Sequence, residues 1–237
     1  MRTLPSSAAM ILLGFIALPA LADSDIDLVY GDDIARRGEL AAELAARWSQ
    51  TSRNSDFAGR MLWQAVGELA YGVSDRFSVG VKLPVSRVEG NWHAHGAYAE
   101  VKYLAPHRAD GLYWGAEIEA GSIKPLGEER ALVLEAFPIL GYRIGRYHLA
   151  VNPGVEYTSE GEDKGWGFAP KARLSYRLND AHALGLEYHV DADRRGETAY
   201  LTWDAKIAGQ QLSVALGHGT THASDRWAVR IGVELDD

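Results

Sequence analysis

A closed all-β barrel of about twelve antiparallel strands is the fold this sequence predicts, and three observations predict it. Apolar and charged residues alternate with a period of two through nearly the whole chain. The first residues have the anatomy of a cleaved export signal. Short and long connections between the alternating segments also take turns along the chain, the expected asymmetry of a single transmembrane up-and-down barrel with short periplasmic turns and longer outer loops.

The export signal comes first. Arg2 opens a short basic region, an apolar stretch runs from Ala9 to Leu21, and Ala20-Leu21-Ala22 is a small-x-small cleavage site before Asp23. That apolar stretch is well short of the roughly 20 residues a spanning helix needs, so residues 1–22 are a signal peptide and not a membrane anchor. No other stretch is long and apolar enough for a helical span, which leaves a closed barrel as the way to cross a membrane with every backbone group paired. Residues 23–38 form a polar N-terminal segment, and 39–237 the outer-membrane barrel domain. Over its 237 residues the chain carries a net charge of −8, one unit more negative once Arg2 is removed. Such a balance excludes a nucleic-acid partner, which needs a basic patch or stripe. Without cysteine the chain has neither disulfides nor thiol chemistry.

The alternating segments follow in order. Segment 39–50 places Leu40, Leu44 and Trp48 at a spacing that strands and helices share, and Glu39-Leu40-Ala41-Ala42-Glu43 is rich in helix formers. A helix there would leave an odd strand count, so it is read as a strand. Segment 61–72 carries Trp63 and Tyr71 on the apolar phase and Glu68 on the other. Segment 77–86 sets Phe77, Val79, Val81, Leu83 and Val85 against Ser78, Gly80 and Lys82. Segments 93–105 and 112–121 follow, with Tyr103 on the apolar phase and Glu117 and Glu119 on the polar one. Segments 131–143 and 147–158 are joined by Gly145-Arg146. Segment 166–178 interleaves Trp166, Phe168, Ala172, Leu174, Tyr176 and Leu178 with Lys171, Arg173, Ser175 and Arg177. Segments 182–191, 197–207, 212–219 and 226–235 complete the set. Each is about one crossing for a tilted strand, roughly 9–11 residues.

The connections after even segments are short: Val73-Ser74-Asp75-Arg76, Pro106–Asp110, Gly145-Arg146, Asn179-Asp180-Ala181 and Ala208–Gln211. Those after odd segments are mostly longer and polar, such as Thr51–Arg60, Ser122–Arg130 and Ser159–Gly165. A two-residue loop with glycine first suits a type II′ turn at Gly145-Arg146. It pairs Tyr142 with Leu149, Leu140 with Val151 and Ala136 with Val155, all on the apolar phase. The same register sets Pro138 opposite Pro153. Proline cannot donate to a ladder, so a bulge or local break is expected there and near Pro84 and Pro170.

A soluble barrel would put the apolar phase inside. The membrane version is favoured by tyrosines and tryptophans near segment ends on that phase: Trp48, Trp63, Tyr71, Tyr103, Tyr142, Tyr147, Tyr157, Trp166, Tyr176 and Trp227. The polar phase then lines a lumen. Its acids are Glu43, Glu68, Glu117, Glu119, Glu135, Glu156, Glu187 and Asp204; its bases are Arg47, Lys82, Arg143, Lys171, Arg173, Arg177 and Arg230. Arginine's planar fork suits carboxylate pairing at enclosed sites, so ion pairs are expected to cross the lumen. The final strand, Trp227–Leu235, keeps its alternation but runs into Asp236-Asp237 where outer-membrane strands commonly finish on an aromatic residue.

The stretch from Glu68 through Tyr71-Gly72-Val73-Ser74-Asp75-Arg76-Phe77 to Pro84 resembles a recurring hairpin of outer-membrane barrels, in particular those of the family named for the meta-pathway of phenol degradation. The likeness lies in a Tyr-Gly, a short turn with Asp-Arg, and a glycine-punctuated strand ending at proline. It implies a barrel linked to uptake of small compounds, aromatic ones included, and supplies no site residues.

Other chemistry finds little footing. His93 and His95 share one strand face, and His218 and His222 are further metal candidates, yet no third ligand is legible. His148 and His189 lie on the polar phase near Glu156 and Glu187. His189 with Asp191 would make a base–orienter pair, but no serine is placed with them. Gly161-Glu162-Asp163-Lys164-Gly165 lacks the spacing of a calcium loop. The expectation is therefore not an enzyme and no cofactor. It is an outer-membrane channel or transporter for passive or selective passage of small solutes, aromatic or hydrophobic ones included, narrowed by side chains or by the 23–38 segment. The competing expectation is a non-conducting structural or ligand-binding barrel with an ion-paired lumen. Expected partners are outer-membrane lipids, the barrel assembly machinery and a small-molecule solute.

Overall fold

A computed structural model describes residues 26, 28–52, 59–124, 129–161, 164–191 and 195–235. Residues 1–22, expected from the sequence to be a cleaved export signal, lie outside the described residues, as do Asp236-Asp237. The strands are β1 (Leu40–Gln50), β2 (Met61–Ser74), β3 (Phe77–Val88), β4 (Asn91–Ala94), β5 (Gly96–Leu104), β6 (Gly111–Ile123), β7 (Ala131–Ile144), β8 (Tyr147–Thr158), β9 (Gly165–Arg177), β10 (His182–Asp191), β11 (Gly196–Ile207), β12 (Gln210–Gly219) and β13 (Trp227–Leu235). Every strand pair is antiparallel. The ring closes because β1 pairs with both β2 and β13, while β2 also pairs with β3. Strands β4 and β5 are one stave broken at His95, so the barrel is a closed twelve-stave cylinder. Closure leaves no unpaired sheet edge.

Segment 39–50 is a strand despite its helix formers, because β1 is held on both sides by continuous ladders. Tertiary pairing outweighs its local propensity. The Gly145-Arg146 hairpin has the expected register, Tyr142 against Leu149 and Leu140 against Val151. Gly145 has φ 56°, the positive value a type II′ turn asks of its first central residue.

The prolines act as expected, each on one side. The β7–β8 ladder stops between Ala136–Val155 and Leu140–Val151, while Pro138 stays in register with β6 and Pro153 with β9. At Pro170 the β9–β10 ladder ends at Lys171. Beside Pro84 the register on the far side jumps from Lys82–Tyr98 to Val85–Ala94, which produces the β4–β5 break. A residue without an N–H can be tolerated where one of its two ladders is given up. One outer connection departs from expectation: β3 and β4 are joined by Glu89-Gly90 alone, both at positive φ, as a type I′ turn requires.

The apolar phase faces outward. Leu69, Val81, Leu174 and Leu201 are each about half exposed, and so are most other large apolar side chains on that phase. Its aromatic residues form two belts. Tyr71, Tyr103, Tyr142, Tyr147 and Tyr176 lie at the short-turn end; Trp48, Trp63, Tyr157, Trp166 and Trp227 lie at the long-loop end. Rings pair within each belt, as in Tyr147–Tyr176 at 5.0 Å and Tyr157–Trp166 at 5.2 Å.

Candidate functional site

The barrel interior is built from the polar phase, and most of its charges meet in space. On the wall formed by β2, β3, β5 and β6, the Lys82 ammonium lies 2.7 Å from Glu119, 3.0 Å from Glu117, 3.2 Å from Glu100 and 3.7 Å from Glu68. Lys102 adds a second cation, 3.5 Å from Glu117. Across the lumen, Glu187 accepts from Arg230 at 2.6 Å and lies 3.4 Å from Arg173, which also pairs with Asp204. His189 Nε2 is 3.1 Å from Glu187 and belongs to this cluster. Buried charges survive only when paired, and each charge of these networks faces an opposite one within 4 Å.

Nearer the long loops, Arg47 donates to Gln64 at 2.6 Å and to Asp225 at 2.5 Å, tying the β12–β13 loop over the mouth. Ser52 Oγ donates to the His222 carbonyl at 2.6 Å, and the Glu197 amide to Ser224 Oγ at 2.7 Å, so the same loop is held on both sides. Of the remaining residues expected to line the lumen, Glu135 and Lys171 are buried. Glu43 and Glu156 are half-buried, with Glu135 and Glu156 on facing positions of β7 and β8. Arg177 is exposed at the short-turn rim, donating to the Gly145 carbonyl at 3.2 Å.

A second layer comes from the N-terminal segment, which runs inside the barrel. Gly38 N–H donates to the Gly72 carbonyl at 2.8 Å, anchoring the segment at the start of β1. From there the chain turns back into the lumen. Asp32 receives two hydrogen bonds from Arg143, one of them 2.7 Å from Nε, and has His107 at 3.4 Å and His148 at 4.0 Å. Asp33 accepts from Lys102 at 3.2 Å. The Tyr30 amide donates to Asn152 at 2.8 Å, the Asn152 side chain returns a bond to the Tyr30 carbonyl at 3.2 Å, and the Tyr30 hydroxyl donates to Glu119 at 2.9 Å. Ile26 and Leu28 pack on Ala45 and Val66.

This segment has an apolar seat. Leu104, Tyr113 and Ile139 form a buried cluster against which Tyr30 and Ile34 pack, and the Tyr30 ring lies 5.2 Å from Phe137. Tyr113 and Phe137 lie flat on the wall because their neighbours are glycines. A Cβ at Gly141 would fall 1.9 Å from the Tyr113 ring, and one at Gly154 would fall 2.6 Å from Phe137. Between the segment, the charged walls and the short turns remains a cavity of about 730 Å³, lined among others by Asp32, Glu68, Lys102, Arg143, Arg173 and Arg230.

The electrostatics of the segment favour its docked form. Burial disfavours the charged Asp32 carboxyl, yet the hydrogen bonds and charge of Arg143 hold it below the usual carboxylate range. The Lys102 ammonium does the same for Asp33.

Glu100, Glu117 and Glu119 place carboxylate oxygens within 4.8 Å of one another, close enough in principle to hold a metal. Lys82 already sits among all three, so the arrangement is an internal ion cluster. Among the described residues no such group includes His93 or His95; His95 sits fully buried at the β4–β5 break and donates to the Lys124 carbonyl at 2.6 Å.

Glu100 and Lys102 carry the same alternation as their neighbours and were legible in principle on the polar phase of segment 93–105. The seat of the N-terminal segment also left a trace, the run Ala136-Phe137-Pro138-Ile139-Leu140, where apolar residues occupy both phases. Tyr30, Asp32 and Asp33 left none.

No family model matches the sequence, and no curated protein matches it. The fold does have solved counterparts. An outer-membrane channel of Pseudomonas putida F1 superposes with a TM-score of 0.66 at 12% identity, covering 90% of this chain and all (100%) of that one. A KdgM porin in complex with disordered oligogalacturonate gives 0.59 at 8% identity, over 82% of this chain and 97% of that one. The KdgM porin alone gives 0.55 at 10% identity with the same coverage, 82% and 97%. The shared feature at such identities is the outer-membrane type of barrel.

Proposed function

We propose that the protein is an outer-membrane channel for small water-soluble solutes, closed at rest by its own N-terminal segment. The carrying observation is that the element filling the short-turn half of the lumen belongs to no strand. It is a strand-free segment, fastened to β2 by one isolated backbone bridge at Arg37–Gly72 and otherwise held by hydrogen bonds to side chains and a small apolar seat, so it can leave without breaking a strand ladder. Behind it lies the 730 Å³ cavity lined by both signs of charge. The two-belt exterior supports membrane residence, with the tyrosine belt and short turns on the periplasmic side. The fold shared with the Pseudomonas putida channel and the KdgM porin is consistent with transport.

The lining sets the solute class. A molecule passing Arg143, Arg173 and Arg230 on one side and Glu68 and Glu117 on the other exchanges hydration for fixed charges, which suits polar or ionised solutes. An aromatic acid satisfies that condition, whereas an unsubstituted hydrocarbon does not. The reading is that of a channel and not of an enzyme.

A second reading has its own observation. Glu119 and Asn152 in mid-lumen are almost completely inaccessible, at 1% and 0%. A barrel packed in this way would serve a structural or ligand-binding role. Swelling of liposomes carrying the refolded protein separates the two. A chain starting at Glu39 should admit benzoate-sized organic acids and small sugars faster than the chain starting at Asp23. If neither chain admits any solute, the non-conducting reading replaces the channel.

A further inference from the structure

The outward face of the strands carries one conspicuous departure from its apolar phase. On β3 the outward residues are Phe77, Val79, Val81, Leu83, Val85 and then Arg87. Among the described strand residues, Arg87 is the only arginine or lysine on that face. It lies at the long-loop end, in a row of outward neighbours across adjacent strands: Trp48 pairs with Trp63, Trp63 with Arg87, and Arg87 with Trp92. The Arg87 guanidinium stands 5.3 Å over the Trp92 ring. Arg60, just ahead of β2, reaches the same place, 3.2 Å from Glu89 and half exposed. Arg60, Met61, Trp63, Arg87, Glu89 and Gly90 line an outward-facing hollow of about 340 Å³.

We propose that this hollow binds the phosphate of an acylated, phosphorylated sugar headgroup in the outer leaflet of the membrane, a lipid of the lipid A class. A guanidinium offers a planar fork of donors matched to phosphate and is weakly hydrated, so it works at a partly dry interface. Indole rings settle at the boundary between hydrocarbon and headgroups. The row Trp48-Trp63-Arg87-Trp92 therefore puts a phosphate-binding group at headgroup depth, with flat apolar surfaces beneath for sugar and acyl chain. Glu89 neutralises one cation in the free protein and holds Arg60 beside the hollow; the second remains for the anion. This inference rests on the barrel lying in a membrane with its long loops outward.

The test uses the refolded chain from Asp23 onward in detergent micelles, with retention of lipid A followed by native mass spectrometry. Arg87→Gln and Arg60→Gln remove the donors, Arg87→Lys keeps the charge without the fork, and Arg146→Gln at the opposite rim is the control. Each variant is first checked for the heat-modifiable gel shift of a folded barrel. Lipid A should be retained by the parent and by Arg146→Gln, and held about tenfold or more weakly by Arg87→Gln. Arg87→Lys should fall between, and lipid A stripped of its phosphates should bind no better to the parent than to Arg87→Gln. Equal retention by the parent, Arg87→Gln and Arg60→Gln would overturn the site. So would displacement of lipid A by an equal concentration of inorganic phosphate, which would make the hollow a free-phosphate site. A chain that fails to refold into vesicles at all would instead overturn the membrane reading, a result distinct from either.

Discussion

Replacing Lys82 should damage the barrel more than replacing any one of the acids around it. Lys82 is buried, and four carboxylates lie within 3.7 Å of its ammonium or closer. Lys82→Gln removes the cation that those four carboxyl groups share and leaves Lys102 as the one remaining cation beside Glu117. Breaking a buried pair from one side costs roughly 3–5 kcal/mol, because the partner stays buried without its counter-charge. Glu117→Gln works in the other direction. It keeps an acceptor for Lys82 and lessens the repulsion among the acids, so the loss should be about 1 kcal/mol, the scale of one hydrogen bond. Urea-dependent folding into lipid vesicles, read by the heat-modifiable gel shift, measures both. If Glu117→Gln destabilises as much as Lys82→Gln, the picture of one cation serving a surplus of acids is wrong.

Three further outcomes follow from the same geometry. Leu174 is outward and half exposed, flanked on its ladders by Leu149 and Leu186; Leu174→Arg should cost roughly 2–4 kcal/mol of folding in vesicles, as a cation at mid-membrane does. Asp32 and Asp33 titrate below the usual range while docked, so their contribution to docking is complete above their free pKa, near 4, and disappears as the pH falls through the docked value. Conductance should accordingly stay low from pH 8 to 5 and rise as the pH falls below about 4. Arg143→Gln removes one anchor of a partly solvated pair, worth on the order of 1 kcal/mol, and should raise the open fraction about fivefold in single-channel records.

The staves were legible because the alternation has the strand period and one phase must meet lipid; a slip by one residue would have turned every side chain around. The broken ladders were legible for a similar reason, since proline's missing donor is a covalent fact. The break near Pro84 was expected for that reason, but that it would fall at His95 of the neighbouring stave was not legible. The inner plug was hidden for a different reason. Tyr30 meets Asn152 across 122 positions and Asp32 meets Arg143 across 111, and a strand-free segment carries no period to reveal such contacts. Arg47 shows the intermediate case: its inward phase was readable, but its partner Asp225 lies in a loop with no alternation.

The central claim, that the N-terminal segment closes a transport lumen, is met most directly by single-channel recording in planar bilayers. The chain starting at Asp23 should show low conductance with brief openings, and the chain starting at Glu39, equally folded by gel shift, should show a long-lived open level at the same voltage and salt. Two folded barrels with the same negligible conductance would contradict it, since the lumen would then be closed by its walls and not by the segment.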